Sequence, residues 1–195
     1  MSPATTREVA PADFRAGMKQ LASAVSVIAT GSEADPAAWR GMTATAVCSL
    51  CAEPPSLVVC LNQQTGTYRQ LRENGLFSVN VLADRDVHLA QTFAGQHGLA
   101  GADRFTTGDW APGRLGVPVL GSALAAFECR VVQTVEYGTH CLLIGNIETI
   151  HQPTIHQLTV NPPDEDGRTE QPLVYHSQGF HGLGSEIVTT GGPRR

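Results

Sequence analysis

Charge is the first thing this chain is short of. Asp, Glu, Lys and Arg make up 16% of its 195 residues, against about a quarter in ordinary soluble domains. The 13 basic residues are outnumbered by 18 acidic ones, for a formal net charge of −5. That balance excludes the broad basic surface of a general nucleic-acid binder. Long hydrophobic runs are missing as well. No purely apolar stretch is longer than Leu57-Val58-Val59-Cys60-Leu61, whereas a membrane-crossing helix needs about 20 such residues. The opening residues Met1 to Glu8 place no apolar segment behind a basic one and do not read as a secretory signal. Five cysteines are an odd number without a disulfide-like framework. They read as small apolar residues in a reducing, cytoplasmic compartment.

Familiar catalytic signatures are absent too. There is no G-x-S-x-G elbow and no Walker A loop, and Gly182-Leu183-Gly184 lacks the third glycine of a dinucleotide fingerprint. None of the histidines (His88, His97, His140, His151, His156, His176, His181) forms a zinc-type H-E-x-x-H pair. Cys48 and Cys51 match C-x-x-C, but they sit on an expected strand, where odd spacing puts them on opposite faces. No second pair completes a metal site, so no metal is expected.

What is present is an apolar fraction of 42%, ample for one domain with a core of its own. A loose tail over residues 1–12 precedes a domain over 13–183, and a second tail covers 184–195. Asp13 is placed to cap a helix carrying Phe14, Met18 and Leu21 on one face. Ser23 to Thr30 reads as a strand, Ser32 to Arg40 as a hairpin loop, and Gly41 to Leu50 as one further strand of unusually small residues. Glu53-Pro54-Pro55 ends it. Ser56 to Leu61 is a buried strand. Asn62 opens a turn into a short helix holding Tyr68, Leu71 and Arg72, which Asn74-Gly75 stops. Leu76 to Leu82 is a strand, Asp84 or Asp86 caps a helix through Phe93, and residues 98–121 are loop-rich. Ala123–Glu136 and His140–Ile150 form a hairpin about Tyr137-Gly138-Thr139. An exposed excursion over 151–171 leads to a last strand, Pro172–His176. Strands joined by turns, without βαβ alternation, imply a mainly β, antiparallel barrel with two or three short helices.

Two stretches point to a ligand. The strand Thr43 to Ser49 offers close-set backbone groups and the hydroxyls of Thr43, Thr45 and Ser49, while Asn62 and Thr65-Gly66-Thr67 place amides and hydroxyls at a helix start, a natural phosphate seat. A flat heterocycle with a phosphate tail suits both. Equally, small residues let two strands or two subunits approach closely. His140, just past a glycine turn at a strand start, is placed to face a cleft.

Taken together, Gly41-Met42-Thr43-Ala44-Thr45-Ala46-Val47-Cys48-Ser49, Glu53-Pro54-Pro55-Ser56-Leu57 and Val59-Cys60-Leu61-Asn62 resemble the short-chain flavin reductases. These are the reductase components of two-component flavin monooxygenases such as 4-hydroxyphenylacetate 3-monooxygenase. The resemblance continues through Val79-Asn80-Val81-Leu82, Phe93-Ala94-Gly95, Arg104-Phe105, Trp110, Pro118-Val119-Leu120, Gly138-Thr139-His140 and Leu173-Val174-Tyr175. It implies a homodimeric FMN-binding split β-barrel with flavin at the subunit interface. By that resemblance Met42, Thr43, Ala44, Thr45, Ala46, Cys48 and Ser49 line the flavin ring. Cys60, Leu61, Asn62, Thr65 and Thr67 border the ribityl chain and phosphate, Phe93 and Ala94 lie beside the tail, and His140 and Tyr175 meet the nicotinamide.

The implied reaction passes hydride from NADH or NADPH to FMN or FAD, with reduced flavin diffusing to a monooxygenase partner. Both reacting atoms would belong to bound nucleotides, so no protein nucleophile is required. The chain's task would be to hold two flat rings with reacting atoms about 3–3.5 Å apart. Competing expectations are a non-catalytic flavin-binding or storage protein and an FMN-dependent oxidase of the same fold.

Overall fold

The computed structural model describes residues 9–152 and 170–183. Most of the expected excursion over 151–171, residues 1–8 of the first tail and all of the second lie outside the described residues. In chain order the elements are helix α1 (Pro11–Met18), strands β1 (Ser23–Ala24), β2 (Ser26–Ser32), β3 (Asp35–Ala44), β4 (Val47–Ala52) and β5 (Pro55–Asn62), helix α2 (Gly66–Asn74), strand β6 (Leu76–Val81) and helix α3 (Val87–Phe93). Strands β7 (Trp110–Pro112), β8 (Pro118–Leu120), β9 (Ala125–Tyr137), β10 (His140–His151), β11 (Val174–His176) and β12 (Gly179–His181) follow. The fold is mainly β. Its principal sheet has seven strands in the order β3-β2-β6-β9-β10-β5-β4, every pairing antiparallel. No helix among the described residues is long and apolar enough to cross a membrane.

Local chemistry explains most of the boundaries. The Thr65 hydroxyl accepts from the Tyr68 amide at 3.2 Å and caps α2, and Gly75 ends that helix with a left-handed φ of 67°. Gly138-Thr139 alone turns β9 into β10, since Tyr137 pairs directly with His140. The buried Asn80 donates to the Val27 carbonyl and accepts from the Leu120 amide, tying β6 to β2 and β8. Glu128 is fully buried, yet its carboxylate accepts from the amides of Arg114 and Leu115 and meets His151 Nε2 at 2.6 Å. Such pairing is what makes a buried charge tolerable.

Some expectations need correction. The loop expected over Ser32–Arg40 shrinks to a turn at residues 33–34, and β3 begins at Asp35. Pro36 is accommodated because β3 is an edge strand, where a missing amide breaks no ladder. The single strand expected over Gly41–Leu50 is two strands divided at Thr45-Ala46. The chain leaves one edge of the sheet there and joins the other, so β3 pairs with β2 while β4 pairs with β5. A bulge in β4 sets Cys48 opposite Val58 and Cys51 opposite Ser56, so the two thiols share a face instead of opposing one another. Residues 98–121, expected to be loop, contain a 3-10 turn (Gly101–Thr106) and the β7–β8 ribbon. The strand ending at His176 is not the last: Ser177 and Gln178, both at positive φ, turn it into β12. Helix α1 starts at Pro11 after Ala10 instead of at an Asp13 cap. Its face of Phe14, Met18 and Leu21 stays exposed.

The curl of the sheet has two apolar sides. Inside it, Ile28, Leu57, Val59, Leu61, Phe77, Cys129, Cys141 and Leu143 pack around Tyr68 and Leu71 of α2. Outside β2 and β6, Val25, Val27, Leu82, Leu120 and Leu173 pack under Leu89, Ala90 and Phe93 of α3. Burial drives the Cys129 thiol up to about 12, with Glu128 and Glu148 adding to it, so this core sulfur stays a protonated apolar group.

Candidate functional site

Three cavities adjoin where β3 ends. The first, of about 520 Å³, is lined by Arg40, Gly41, Met42 and Thr43 of β3, by Thr65-Gly66-Thr67 at the start of α2, by Phe93-Ala94 at the end of α3, and by Gly101 and Arg104. The second, of about 190 Å³, shares Thr43 and Ala94 with it and adds Val25, Ala44, Thr45, Gln96, Tyr175 and Phe180. The third, of about 500 Å³, shares Thr45 and Tyr175 with the second and runs between Ala46, α1 and the Ser177-Gln178 turn. The second cavity shares lining with each of the others, so the three adjoin in series, with Thr43, Ala44 and Thr45 lining the middle of this groove.

The first cavity is built to receive an anion. Helix geometry leaves the leading amides of α2 without intrahelical acceptors, and the helix dipole adds partial positive charge. Two guanidinium groups stand beside them. Arg104 is fixed by three carbonyls: its Nε donates to Leu99 at 3.0 Å, and its Nη1 donates to Gly41 at 3.1 Å and Phe93 at 3.2 Å. Arg40 Nη1 donates to the carbonyls of Ala37 and Trp39, at 2.9 and 2.7 Å. Below lies a cluster of rings, with Phe105 centred 5.0 Å from Phe93, 5.0 Å from Trp110 and 5.4 Å from Trp39. Gly41 rests directly on it. A Cβ there would sit 2.7 Å from Phe93 Cε1, so only glycine lets β3 come this close. The Thr43 hydroxyl donates to the Ala90 carbonyl at 2.6 Å, clamping β3 to α3.

Of the residues assigned from sequence, the structure gathers Met42, Thr43, Thr65, Thr67, Phe93 and Ala94 around the first cavity, Ala44 and Thr45 at the second, and Ala46 at the third. Phe93 presents only backbone, because its ring is buried in the aromatic cluster. Tyr175 stands at the junction of the second and third cavities. Cys48, Ser49, Cys60, Leu61, Asn62 and His140 line none of these three. Leu61 is fully buried in the core, which leaves only its backbone for a ligand. Asn62 Oδ1 accepts from the Gln64 amide and so shapes the turn before α2. Burial, with Cys141 beside it, raises the Cys60 thiol, away from the thiolate a nucleophile needs. Tyr68 is pushed up to about 12 by burial and by hydrogen bonds to Cys141 and Glu136, and stays a phenol donating to Glu136 Oε1. His140 is exposed at the start of β10, opposite Asn62, with Nδ1 2.8 Å from the Thr139 hydroxyl.

Arg40, Gly41, Gly101 and Arg104 join the site without having been singled out for it. Arg40 was hidden in the segment read as a loop. Arg104 lies far along the chain, in a segment without periodicity. A guanidinium between the groups that flank an apolar ring cluster leaves no signature in sequence spacing.

Comparison with known proteins gives the chain a family. A family model described as "Flavin reductase like domain" matches residues 18–184. The chain is 41% identical over 142 residues to "FMN reductase (NADH) RutF 2" of Methylorubrum extorquens (strain PA1), covering 73% of this chain and 80% of that one. It is 42% identical over 170 residues to "FMN reductase (NADH) RutF" of Variovorax paradoxus (strain S110), covering 87% and 84%. Its fold is similar to the crystal structure of BorF, the flavin reductase component of a bacterial two-component tryptophan halogenase. The TM-score is 0.74 at 28% identity, over 91% of this chain and 100% of that one. With a family match over residues 18–184 and relatives this similar along most of its length, this chain belongs to the flavin reductase like domain family.

Proposed function

We propose that this protein is an NADH-dependent flavin reductase that releases reduced flavin to a separate flavin-consuming enzyme. The observation that carries the reading is the continuous groove, cationic at its Arg40–Arg104 end and floored by Thr43-Ala44-Thr45 in the middle. The donor set fits a flavin. The leading amides of α2, with Arg40 and Arg104, suit its phosphate. Met42 to Ala46 offer a floor with little side-chain bulk for its ring, and Ala94 flanks it. Cys48, Ser49, Cys60, Leu61 and Asn62 belong to the same assignment through their backbone and the shape of the neighbouring turn. His140 and Tyr175 hold the nicotinamide. Bound flavin supplies a hydride acceptor, and the chain's own part is to orient the two ligands and offer backbone amides where negative charge grows. A protein nucleophile has no role, in keeping with the raised Cys60 thiol. Relatives named FMN reductase (NADH) favour FMN and NADH over FAD and NADPH. The partner is a monooxygenase or, as for BorF, a halogenase.

Residues 13–183 form the working unit, a split barrel in the cytoplasm. The strand order supports the barrel: it begins with β3 and ends with β4, which only Thr45-Ala46 separate. A homodimer is favoured by the outer face of β9, β10, β5 and β4. There Val135, Leu142, Ile144, Val58, Cys60 and Cys48 occupy facing register positions. Leu142 is 40% and Val135 46% exposed. No helix among the described residues covers them as α3 covers β2. A second copy of the chain would, and it would place a subunit boundary beside His140.

Purified protein mixed with NADH and excess FMN tests the reading. Loss of the nicotinamide absorbance with many turnovers per subunit is expected. Tight flavin binding without turnover would make this a binding or storage protein, and turnover only with a third, oxidisable substrate would make it an oxidase.

A further inference from the structure

The third cavity touches the flavin assignment only through Thr45 and Ala46, and the rest of its lining is chemically distinctive. Arg15, on α1, and Lys19, just past its end, both line it, beside the apolar side chains of Met18 and Leu21. Among the described residues no acidic side chain lines it. Among the described residues neither cation forms an ion pair or a side-chain hydrogen bond. Lys19 is the only lysine in the chain, which carries an excess of acidic residues. An unpaired Arg-Lys pair is therefore conspicuous here. Its position is also held: the Ser177 amide donates to the Lys19 carbonyl at 3.1 Å, pinning the end of α1 to the β11–β12 turn, and β1 pairs with β11 at Tyr175.

Seen along the groove, the cations are divided. Arg40 and Arg104 stand at one end, Arg15 and Lys19 at the other, with the uncharged Thr43-Ala44-Thr45 floor and Tyr175 between them. One phosphate-bearing ligand explains one end. The opposite end fits a second anionic ligand with an apolar ring system, approaching the same floor from the other side. We propose that Arg15 and Lys19 anchor the phosphates of the pyridine dinucleotide, while Met18 and Leu21 face its apolar part. Donor and acceptor thus enter from opposite ends and overlap only at the floor. This inference rests on the reductase reading above and adds two positioning residues to it.

Because Lys19 is the sole lysine, its accessibility can be read directly. The full-length protein is treated with an amine-acetylating reagent, and peptide mass spectrometry follows Lys19, with the N-terminal amine as internal reference. NAD+ is expected to slow Lys19 acetylation several-fold, ADP-ribose to do nearly the same without a nicotinamide, and FMN to leave it unchanged. By calorimetry, replacing both residues (Arg15→Ala with Lys19→Ala) is expected to weaken ADP-ribose binding by roughly tenfold or more, the scale of losing charge-assisted hydrogen bonds. The Michaelis constant for NADH should rise with it and that for FMN should not. Lys19→Arg should restore binding, showing that charge and not local folding is read. Acetylation of Lys19 indifferent to NAD+, or slowed by FAD but not by NAD+, would overturn the anchor, the second result assigning the cavity to a flavin adenylate. A wild-type chain that protects Lys19 with NAD+ yet reduces no flavin would support the anchor and overturn the reductase reading instead.

Discussion

Arg104 offers the sharpest test of how the site is held together. Its guanidinium ties three segments with three bonds: the loop at Leu99, β3 at Gly41 and the end of α3 at Phe93. Hydrogen bonds from a charged donor contribute about 1.5–3 kcal/mol each. The side chain is only partly buried and water replaces some of that interaction, so about 1 kcal/mol per bond is a fair scale. Arg104→Ala should then lose roughly 2–4 kcal/mol, which for a chain of this size lowers Tm by about 5–15 °C. The same change frees β3 from the α3 terminus and removes one of two cations at the phosphate seat, so FMN binding, read by quenching of flavin fluorescence, should weaken by about tenfold or more. Arg104→Lys separates the two effects. A lysine keeps the charge but reaches at most one or two of the carbonyls, so it should recover most of the flavin affinity and little of the Tm. Equal melting temperatures for wild type and Arg104→Ala would refute the reasoning, and so would a flavin affinity that follows Tm in both variants and ignores charge.

Other predictions follow from particular positions. His140→Ala should raise the Michaelis constant for NADH more than that for FMN, and an unchanged NADH dependence in steady-state assays would remove the nicotinamide role. Thr45→Leu adds bulk to the groove's floor and should abolish flavin binding in a titration while the protein stays folded by circular dichroism. Leu142→Asp puts a charge on the uncovered sheet face and should convert a wild-type dimer to monomers in sedimentation velocity; a monomeric wild type would contradict the dimer. Burial lifts the Asp86 carboxyl above its ordinary 3.8, against the opposing effects of the Ala83 amide and Arg85. Its contribution to stability is therefore fully present below 3.8 and is lost as pH rises through the higher folded value. Asp86→Asn keeps an oxygen for the Ala83 amide, so its advantage in urea melts should be largest at neutral pH and fade on acidification.

How much of this was legible beforehand depended on whether the signal was local. The cap at Thr65, the stop at Gly75, the two-residue hairpin before His140 and the proline break after β4 are decisions made within a few residues, by hydrogen-bond donors and allowed φ. Spacing gives the stop at Gly75 and the proline break as they stand, and it gives the hairpin with one residue too many in its turn and the start of α2 without its Thr65 cap. The segment around Pro36 was misread because a proline flanked by small residues looks like a loop until β3 is known to be an edge. The small-residue run was singled out, but not its division at Thr45-Ala46, since composition does not say which edge of the sheet a strand will join.

By itself, then, the amino-acid order determined the class of fold, the turn chemistry, the helix start that can receive a phosphate and the family resemblance, because each is written in residues close together along the chain. Only the tertiary structure decided that Arg40 and Arg104 line one cavity, that Arg15 and Lys19 line another in series with it, and that Gly41 must be glycine to lie on Phe93. Those choices depend on how the sheet curls and what packs on each side of it, and such contacts between distant segments are settled by shape and burial, not by sequence spacing.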